Sequence, residues 1–318
     1  MANIAITSIC NRSCSYCFAK TDISTKELPK YMSSDIFHRA VDLLLASGQK
    51  EIRIIGGEPF LHPQIHEFID VVLKRQGTAM VFSNGLISED NTTWLSSLST
   101  QNLSFLANLS PLDSYSSSQK ILLERFLELC GDKIALSFNI FRPGMDCNYL
   151  IDYIVKFNLK RTIRIGIAHP NPAYSNSFLL PKHYKEVGQS IKEFEDRAKS
   201  SEIELVYDCG FVPCMFPGLA SSSAAPFPTA NCSPILDILT DGSVICCFPL
   251  ARIYKTDIYQ YASLAEMHLY FSDVLSKFDS VGIFKACNLC SFSQNYSCKG
   301  GCISHKIRRF RVLQTAKP

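Results

Sequence analysis

The sequence lacks long hydrophobic runs and any marked excess of charge. No apolar stretch approaches the roughly 18 residues that a membrane-spanning helix needs. The first ten residues, MANIAITSIC, have neither the basic region nor the long apolar core of a secretory signal peptide. A net charge of only +3 over 318 residues argues against a broad surface for nucleic acid or membranes. We therefore expect a cytoplasmic protein that binds neither nucleic acid nor membranes.

Glycine and proline are not abundant either, at 15 residues each, while 47% of the residues are hydrophobic. This composition predicts a packed globular core and excludes a largely disordered chain. The length allows one large domain, or a main domain with a smaller appendage.

Cysteine, by contrast, is abundant, with 14 residues. Thiols stay reduced in the cytoplasm, so clustered cysteines there indicate metal or redox centres and not structural disulfides. Cys130 and Cys147 lie in or beside predicted helices, and we interpret them as packing residues. The other twelve form an N-terminal set of three and a C-terminal set of nine.

Short β-branched strands alternate with amphipathic helices between residue 3 and about residue 200. The predicted strands are 3–9, 51–56, 78–84, 103–110, 133–141 and 161–169. The predicted helices are roughly 33–48, 63–76, 91–99, 115–130, 147–158 and 181–200. Apolar strands separated by helices indicate a parallel sheet that is buried on both faces. Six such units predict an α/β fold with a partial (β/α)6 barrel or a curved open sheet, in which ligands bind at the C-terminal ends of the strands.

The pattern changes after about residue 205. A Pro/Ser/Ala-rich stretch at 217–231 is predicted to be a loop, and 235–248 is predicted to be a β-hairpin that turns at Asp241-Gly242. A helix is predicted at about 262–278, before the cysteine-rich stretch 287–302. We expect a core domain at 1–203 and a small cysteine-rich hairpin and helix extension at 204–318.

The three N-terminal cysteines follow the first predicted strand directly. In CNRSCSYC, Cys10, Cys14 and Cys17 are spaced Cys-x3-Cys-x2-Cys, which lets three thiolates surround one compact centre. Soft thiolates suit iron and sulfide, whereas a zinc site would need a fourth nearby ligand. A cluster of four irons with three cysteine ligands leaves one iron open to an exogenous ligand.

A second motif, GGEP, follows the second predicted strand. Gly56 and Gly57 allow a close approach of the backbone, and Glu58 offers a carboxylate to a cationic group at the same edge of the sheet. Taken alone, this motif is equally consistent with a simple strand-to-helix turn.

Together, CNRSCSYC and GGEP resemble the motifs of radical S-adenosylmethionine (SAM) enzymes, and the resemblance extends over residues 3 to about 200. It implies that Cys10, Cys14 and Cys17 bind a [4Fe–4S] cluster whose fourth iron is chelated by SAM. It also implies that Glu58 and the two glycines hold the methionine ammonium group. The reduced cluster would then cleave SAM to a 5′-deoxyadenosyl radical, which abstracts hydrogen from the substrate. The electron would come from a donor such as flavodoxin or ferredoxin.

The same resemblance implies four further residues of the cofactor site. Tyr16 matches the aromatic position near the adenine, and Ser83 begins a Ser-Asn-Gly turn of the family type. Asn108 matches a position that contacts the ribose or carboxylate, and Arg164 is expected to face the SAM carboxylate. Each of the last three is also consistent with a polar residue that ends a strand.

The C-terminal cysteines resemble the SPASM or twitch extension, which carries auxiliary [4Fe–4S] clusters. The implied ligands are Cys209, Cys214, Cys232, Cys247, Cys287, Cys290, Cys298 and Cys302, with Cys246 as an alternative to Cys247. The family's arrangement would group Cys214, Cys232, Cys247 and Cys302 around a first cluster. A second cluster would use Cys287, Cys290 and Cys298, with Cys209 as the fourth ligand or with an open site.

Two departures from the family pattern leave alternatives open. Seven residues separate Cys290 from Cys298 where five are usual, and no cysteine follows Cys302. One auxiliary cluster, or a zinc site at 287–302, therefore remains an alternative to two clusters. Iron and sulfide analysis would separate these cases.

The catalytic base is not identified by the sequence. Some members that oxidise a side chain carry Asp just after the hairpin cysteine, but Phe248 occupies that position, which disfavours a sulfatase-maturase role. The candidates near the cavity are Asp208, Asp237, Asp241, His169, Tyr174 and Tyr207, and we retain Asp208, Asp241 and Tyr207 as candidate bases.

Members with this extension mostly modify peptides by crosslinking, epimerisation or oxidation, so a ribosomal peptide is the predicted substrate. The first predicted strand begins at residue 3, so we expect either that a separate protein recognises the leader or that the substrate is small. One alternative is an enzyme that dehydrogenates a small metabolite. Another is a non-catalytic iron–sulfur protein that transfers electrons. Electron carriers normally close their clusters with four ligands, which argues against the last.

Overall fold

The fold is built around one mostly parallel sheet of ten strands. The structure, a computed structural model, describes residues 1–17, 19, 28–98, 100–216, 232 and 235–315. The strands are β1 (Ala2–Thr7), β2 (Glu51–Gly56), β3 (Thr78–Ser83), β4 (Leu103–Asn108), β5 (Ile134–Ile140), β6 (Thr162–Ile167), β7 (Glu204–Tyr207), β8 (Leu236–Ile238), β9 (Ser243–Ile245) and β10 (Lys255–Asp257).

The strand order is β10-β9-β8-β1-β2-β3-β4-β5-β6-β7. Strands β1 to β7 run parallel to one another, β8 runs parallel to β1, and β9 and β10 are antiparallel to their neighbours. The sheet is open, and no pairing within the described ranges joins β7 to β10. The predicted α/β class with a partial barrel is confirmed, and β7 and β10 extend it beyond the six predicted strands.

The predicted helices are all present. Those between the strands are α1 (Ser34–Ala46), α2 (Ile65–Lys74), α3 (Glu89–Ser97), α4 (Ser117–Cys130), α5 (Tyr149–Lys156) and α6 (Tyr184–Ser200), and α7 (Leu264–Ser276) follows β10. Two further helices that were not predicted are α8 (Ser291–Gln294) and α9 (Ile303–Thr315). Serine side chains cap the first turns of several helices, and Ser116 forms a full capping box with Gln119 at α4. Phe37 of α1 stacks on Phe68 of α2 with ring centroids 4.0 Å apart, and both rings are fully buried. No helix in the described part of the chain is long and apolar enough to cross a membrane.

The predicted hairpin is present as β8 and β9. Asp241 accepts a hydrogen bond from the backbone N–H of Ser243 at 3.0 Å, and Gly242 adopts the left-handed conformation (φ +83°) that the turn requires. Strand β8 joins the edge of β1, with Asn3 opposite Asp237. Residues on both sides of position 203 therefore share one sheet and one core. The loop predicted at 217–231 lies outside the described residues.

Candidate active site

The three-cysteine loop leaves the C-terminal end of β1, and all three cysteines are half-buried. The loop turns back on itself through a hydrogen bond from the Cys17 backbone N–H to the Cys14 carbonyl at 3.2 Å. Two N–H groups point at the Cys10 sulfur: the Arg12 backbone at 3.4 Å and the Asn84 side chain at 3.8 Å. Burial raises the pKa of Cys10, and the nearby Glu58 and Cys14 reinforce the shift, while the two donors oppose it. Positively charged iron would favour the thiolate at this position.

The GGEP turn packs directly on the cysteine loop. Gly57 donates its backbone N–H to the Thr7 carbonyl at 2.8 Å, and Glu58 donates its own to the Ile9 carbonyl at 2.7 Å. A Cβ atom at Gly57 would collide with the Ile9 carbonyl, and one at Gly56 would crowd Thr7. The two glycines thus allow the close backbone approach expected of them, and the approaching segment is the start of the cysteine loop.

Glu58 is fully buried at this turn, and all of its hydrogen-bond partners are neutral. Its carboxylate accepts from the Ser83 hydroxyl at 2.9 Å, from the Asn84 backbone N–H at 2.7 Å and from the Phe60 backbone N–H at 3.3 Å. Burial raises the pKa of Glu58 to about 7, although these three bonds oppose the shift. A bound ammonium group would offset the burial, so the site fits the amine of SAM.

Tyr16 and Asn108, predicted separately, meet in one hydrogen-bond network. The Tyr16 ring stacks on Phe141 with centroids 5.0 Å apart, and its hydroxyl lies 3.2 Å from the Ser110 hydroxyl. Asn108 donates to the Tyr16 hydroxyl at 3.3 Å and accepts from Asn139 at 2.9 Å. Burial raises the pKa of Tyr16, so the phenol stays protonated. The network fixes the second half of the cysteine loop to the ends of β4 and β5.

Arg164 and Asp208 form an ion pair in which each side chain is less than one-third exposed. Arg164 also lies 3.4 Å from the Ser137 hydroxyl and 6.0 Å from the centre of the Phe82 ring. The predicted SAM-carboxylate ligand and the predicted base are therefore partners in this structure. A carboxylate that binds Arg164 would have to compete with Asp208 or share the guanidinium with it.

The other two candidate bases have structural contacts. Asp241 accepts from the backbone and the hydroxyl of Ser243 and thereby holds the hairpin turn. Tyr207 packs edge-on against Phe211 at 5.0 Å and Phe216 at 6.1 Å, and burial raises the pKa of its hydroxyl. Asp241 thus stabilises the hairpin turn, and Tyr207 packs in the core.

The loop between β6 and α6 also holds the cysteine loop. The sequence placed Tyr174 of this loop near the cavity but did not predict its contact with the cysteine loop. Asn176 donates to the His169 carbonyl at 2.9 Å and to the Tyr16 carbonyl at 3.3 Å. Tyr174 donates its hydroxyl to the Cys17 carbonyl at 2.7 Å. The available signal was position, because these residues follow a parallel strand at the edge where ligands bind.

Four of the C-terminal cysteines share one cleft. It is lined by Cys214, Cys287, Cys290 and Cys298 together with Phe284, Phe292 and other apolar residues. Cys214 is solvent-exposed as a residue, yet its thiol faces this cleft. Desolvation and the thiols of Cys298, Cys287 and Cys290 raise its pKa to about 11.

Among the other C-terminal cysteines, Cys302 directly precedes α9. Desolvation and the thiols of Cys302 and Cys246 raise the pKa of Cys232 to about 12. The pKa of Cys247 is raised by its hydrogen bond with Cys246 and by burial. The thiols of Cys302 and Cys232 add to the shift. The predicted grouping of these cysteines around auxiliary clusters stays a prediction, because no three His, Cys, Asp or Glu side chains in the described part of the chain are placed to hold a metal ion.

Comparison with known proteins agrees with this site. Residues 4–143 match the model of the radical SAM superfamily, a segment that contains both the cysteine loop and the GGEP turn. GTP 3′,8-cyclase of Synechocystis sp. is 25% identical over 295 residues, which is 84% of each chain. The subtilosin biosynthesis protein AlbA of Bacillus subtilis is 31% identical over 86 residues, but these are 27% of this chain and only 18% of AlbA.

The fold is similar to that of solved structures over nearly the whole chain. SuiB of Streptococcus suis, solved with its precursor peptide SuiA, aligns with a TM-score of 0.72 at 16% identity. The alignment covers 96% of this chain and 72% of SuiB. Radical SAM enzymes use a [4Fe–4S] cluster and SAM, and both motifs that serve them are assembled at one edge of this sheet. Residues 4–143 therefore carry a radical SAM domain.

Proposed function

We propose that this enzyme modifies a peptide by radical chemistry. The observation that carries the proposal is the alignment with SuiB, because it spans 96% of the chain and so includes the cysteine-rich C-terminal part. SuiB was solved with a precursor peptide, and AlbA is named for the biosynthesis of a bacteriocin. Crosslinking, epimerisation and oxidation are the reactions this proposal covers.

In this proposal the cofactors sit at the C-terminal edge of the sheet. Bound there, the cluster and SAM supply the abstraction of a hydrogen atom from the substrate. Cys10, Cys14 and Cys17 hold the cluster, and Glu58 binds the SAM ammonium group. Ser83 and Asn84 orient the Glu58 carboxylate through their hydrogen bonds. Tyr16 and Asn108, joined by a hydrogen bond, line the part of the site that takes the adenosine of SAM.

The cysteine-rich part holds one or two auxiliary [4Fe–4S] clusters in this proposal. Four thiols, those of Cys214, Cys287, Cys290 and Cys298, line one cleft, and soft thiolates suit iron–sulfur clusters. An external electron donor such as flavodoxin or ferredoxin, and a separate protein that recognises the leader peptide, are the proposed partners.

A small-molecule substrate is the second candidate. It is favoured by the GTP 3′,8-cyclase of Synechocystis, whose match extends over 84% of both chains. The half-buried Arg164–Asp208 pair offers a cation that suits an anionic metabolite as well as it suits SAM.

The test is anaerobic turnover of the reconstituted and reduced full chain with SAM. We expect 5′-deoxyadenosine to accumulate when peptides encoded beside the gene are added, and deuterium to pass from a labelled peptide into 5′-deoxyadenosine. Deuterium transfer and product formation with GTP, and none with the peptides, would instead establish the second candidate. Cys14→Ala is the control, and a wild-type yield of 5′-deoxyadenosine equal to the control's would leave only the electron-transfer alternative.

A further inference from the structure

The loop between β6 and α6 folds back on itself and lies against the cysteine loop. We name residues 168–179 the clamp loop; its ends are joined by a hydrogen bond from the Leu179 backbone N–H to the Ala168 carbonyl at 3.1 Å. Compact surface loops whose ends meet in this way are frequently functional. We propose that the clamp loop sets the reduction potential of the N-terminal cluster through the hydrogen bond that Tyr174 donates to Cys17. The inference rests on the cluster proposed for the three N-terminal cysteines and adds a positioning residue to it.

Three consecutive carbonyl groups of the cysteine loop, those of residues 15–17, accept hydrogen bonds from the clamp loop. The Ser177 backbone N–H donates to the Ser15 carbonyl at 2.9 Å. The Asn176 side chain donates to the Tyr16 carbonyl at 3.3 Å, and a tyrosine hydroxyl donates to the third carbonyl. A donor of the clamp loop therefore holds the negative end of each of these three carbonyl dipoles.

The bond to Cys17 is the shortest of the three, and Cys17 is the one proposed cluster ligand among these residues. The Tyr174 hydroxyl donates to the Cys17 carbonyl at 2.7 Å, and the Cys17 backbone N–H donates to the Cys14 carbonyl at 3.2 Å. Both backbone polar groups of Cys17 are thereby held in place. Reduction adds a negative charge to a cluster, and a donor on the carbonyl oxygen weakens the repulsion between that oxygen and the added charge. The Tyr174 hydroxyl should therefore stabilise the reduced cluster.

The clamp loop is held in shape by its own asparagine side chains. Asn171 accepts from the Ala173 backbone N–H at 2.8 Å, and its own backbone N–H donates to the side-chain oxygen of Asn176 at 2.9 Å. The side-chain nitrogen of Asn176 donates in addition to the His169 carbonyl at 2.9 Å. Because these bonds lie before and after Tyr174 in the sequence, ordered backbone directs its hydroxyl at the cysteine loop.

A second set of contacts fixes the clamp loop to α9. Ser304 donates its hydroxyl to the Pro170 carbonyl. The centroid of the Phe178 ring lies 4.4 Å from the central guanidinium carbon of Arg308 and 5.7 Å from the centroid of the His305 ring. The clamp loop is thus attached both to the last helix and to the cysteine loop. Removal of one hydroxyl group should therefore leave the clamp loop in place.

The test removes the hydroxyl group and keeps the ring. The reconstituted full chain is titrated with reductant, and electron paramagnetic resonance follows the cluster whose signal changes when SAM is added. At the midpoint potential of the wild type, we expect Tyr174→Phe to have full iron content but a ratio of reduced to oxidised cluster that is about 2- to 10-fold lower, the equivalent of one neutral hydrogen bond. Incorporation of 4-aminophenylalanine at position 174 restores a weaker donor and should give an intermediate ratio. Tyr153→Phe, which removes a hydroxyl that donates to Glu124, is the matched control and should keep the wild-type ratio.

The outcomes separate the role of Tyr174 from the proposed cluster. If Tyr174→Phe holds its iron and keeps the wild-type ratio, the inference is wrong although the cluster is present. If the wild-type chain gives no signal that responds to SAM, the proposed cluster site itself fails, and the inference falls with it. Should Tyr174→Phe lose its iron, the chain with 4-aminophenylalanine decides: a ratio below that of the wild type supports the inference, and an unchanged ratio overturns it.

Discussion

At the scale of single residues, Glu58 links burial to cofactor binding. Its carboxyl group is fully buried, its partners are neutral, and its pKa is raised to about 7 from an ordinary value of 4.5. The folded chain without a cation therefore binds the proton more tightly than the unfolded chain does. The stability that this proton contributes is fully present below about pH 4.5 and is lost as the pH rises through 7. A bound ammonium group favours the ionised form of Glu58 over the protonated form, because it stabilises the carboxylate.

We predict that the affinity for SAM rises with pH between 6 and 8 and that Glu58→Gln abolishes this dependence. A hydrogen bond between charged groups is worth about 1.5–3 kcal/mol, so Glu58→Gln should weaken SAM binding about 10- to 100-fold at pH 8. Calorimetric titration of the reconstituted chain measures both effects. Glu89→Gln, at an exposed ion pair, is the control and should bind SAM as the wild type does. A pH dependence that persists in Glu58→Gln would assign it to another group.

The pair Arg164–Asp208 offers a second prediction at this scale. A double-mutant cycle with Arg164→Met and Asp208→Asn should give a coupling of about 0.5–3 kcal/mol in the free energy of unfolding, because the two side chains are in contact and half-buried. If Arg164 also faces the SAM carboxylate, saturating SAM should lower that coupling, since the guanidinium then has two anionic partners. Thermal unfolding of the four variants with and without SAM measures this coupling free energy. An unchanged coupling would show that Arg164 does not bind the SAM carboxylate.

At the scale of elements, the GGEP turn and the cysteine loop form one unit. Gly57→Ala should move the Ile9 carbonyl and disturb its bond to the Glu58 N–H, because no space exists for a methyl group. We expect the N-terminal cluster to lose most of its iron and SAM cleavage to fall at least about tenfold. Gly144→Ala is the control, since its Cβ meets open space and the cost is only that of its left-handed backbone, about 1 kcal/mol. Normal iron content in Gly57→Ala would show that the two segments can separate.

The elements also show what sequence patterns can and cannot predict. The spacing of Phe37, Ala40, Val41 and Leu44 on one helical face predicted α1, and the apolar run before Cys10 predicted β1. Strands β7 and β10 are too short for such a pattern to emerge. That Cys214 lines one cleft with Cys287, Cys290 and Cys298 depends on a turn seated on α6 and on contacts across more than 70 positions of sequence. Spacing motifs carry no information about such contacts, so the sequence alone could not predict this cleft.

At the scale of the whole molecule, the cysteine-rich part is joined to the barrel by its sheet and by its last helix. Strand β8 pairs with β1, and Ser304 of α9 donates its hydroxyl to the Pro170 carbonyl in the loop after β6. That loop holds Tyr16 and Cys17 through Asn176 and Tyr174. Helix α9 and the cysteine loop are therefore connected through the loop after β6 by direct hydrogen bonds. The domain boundary at 203/204 stays a prediction, and one sheet and one core continue across it.

This continuity predicts that a chain ending at residue 203 does not fold on its own. The edge of β1 would lose its pairing with Leu236–Ile238, and core positions that face Leu236, Ile238, Val244 and Phe271 would be uncovered. Each such side chain contributes about 1.5–3 kcal/mol when buried, so losing four removes much of a typical stability of about 5–15 kcal/mol. Circular dichroism and soluble yield of residues 1–203, alone and co-expressed with 204–318, measure this. We expect aggregation of the fragment alone and recovery on co-expression, whereas cooperative unfolding of 1–203 by itself would show that the barrel is complete without β8.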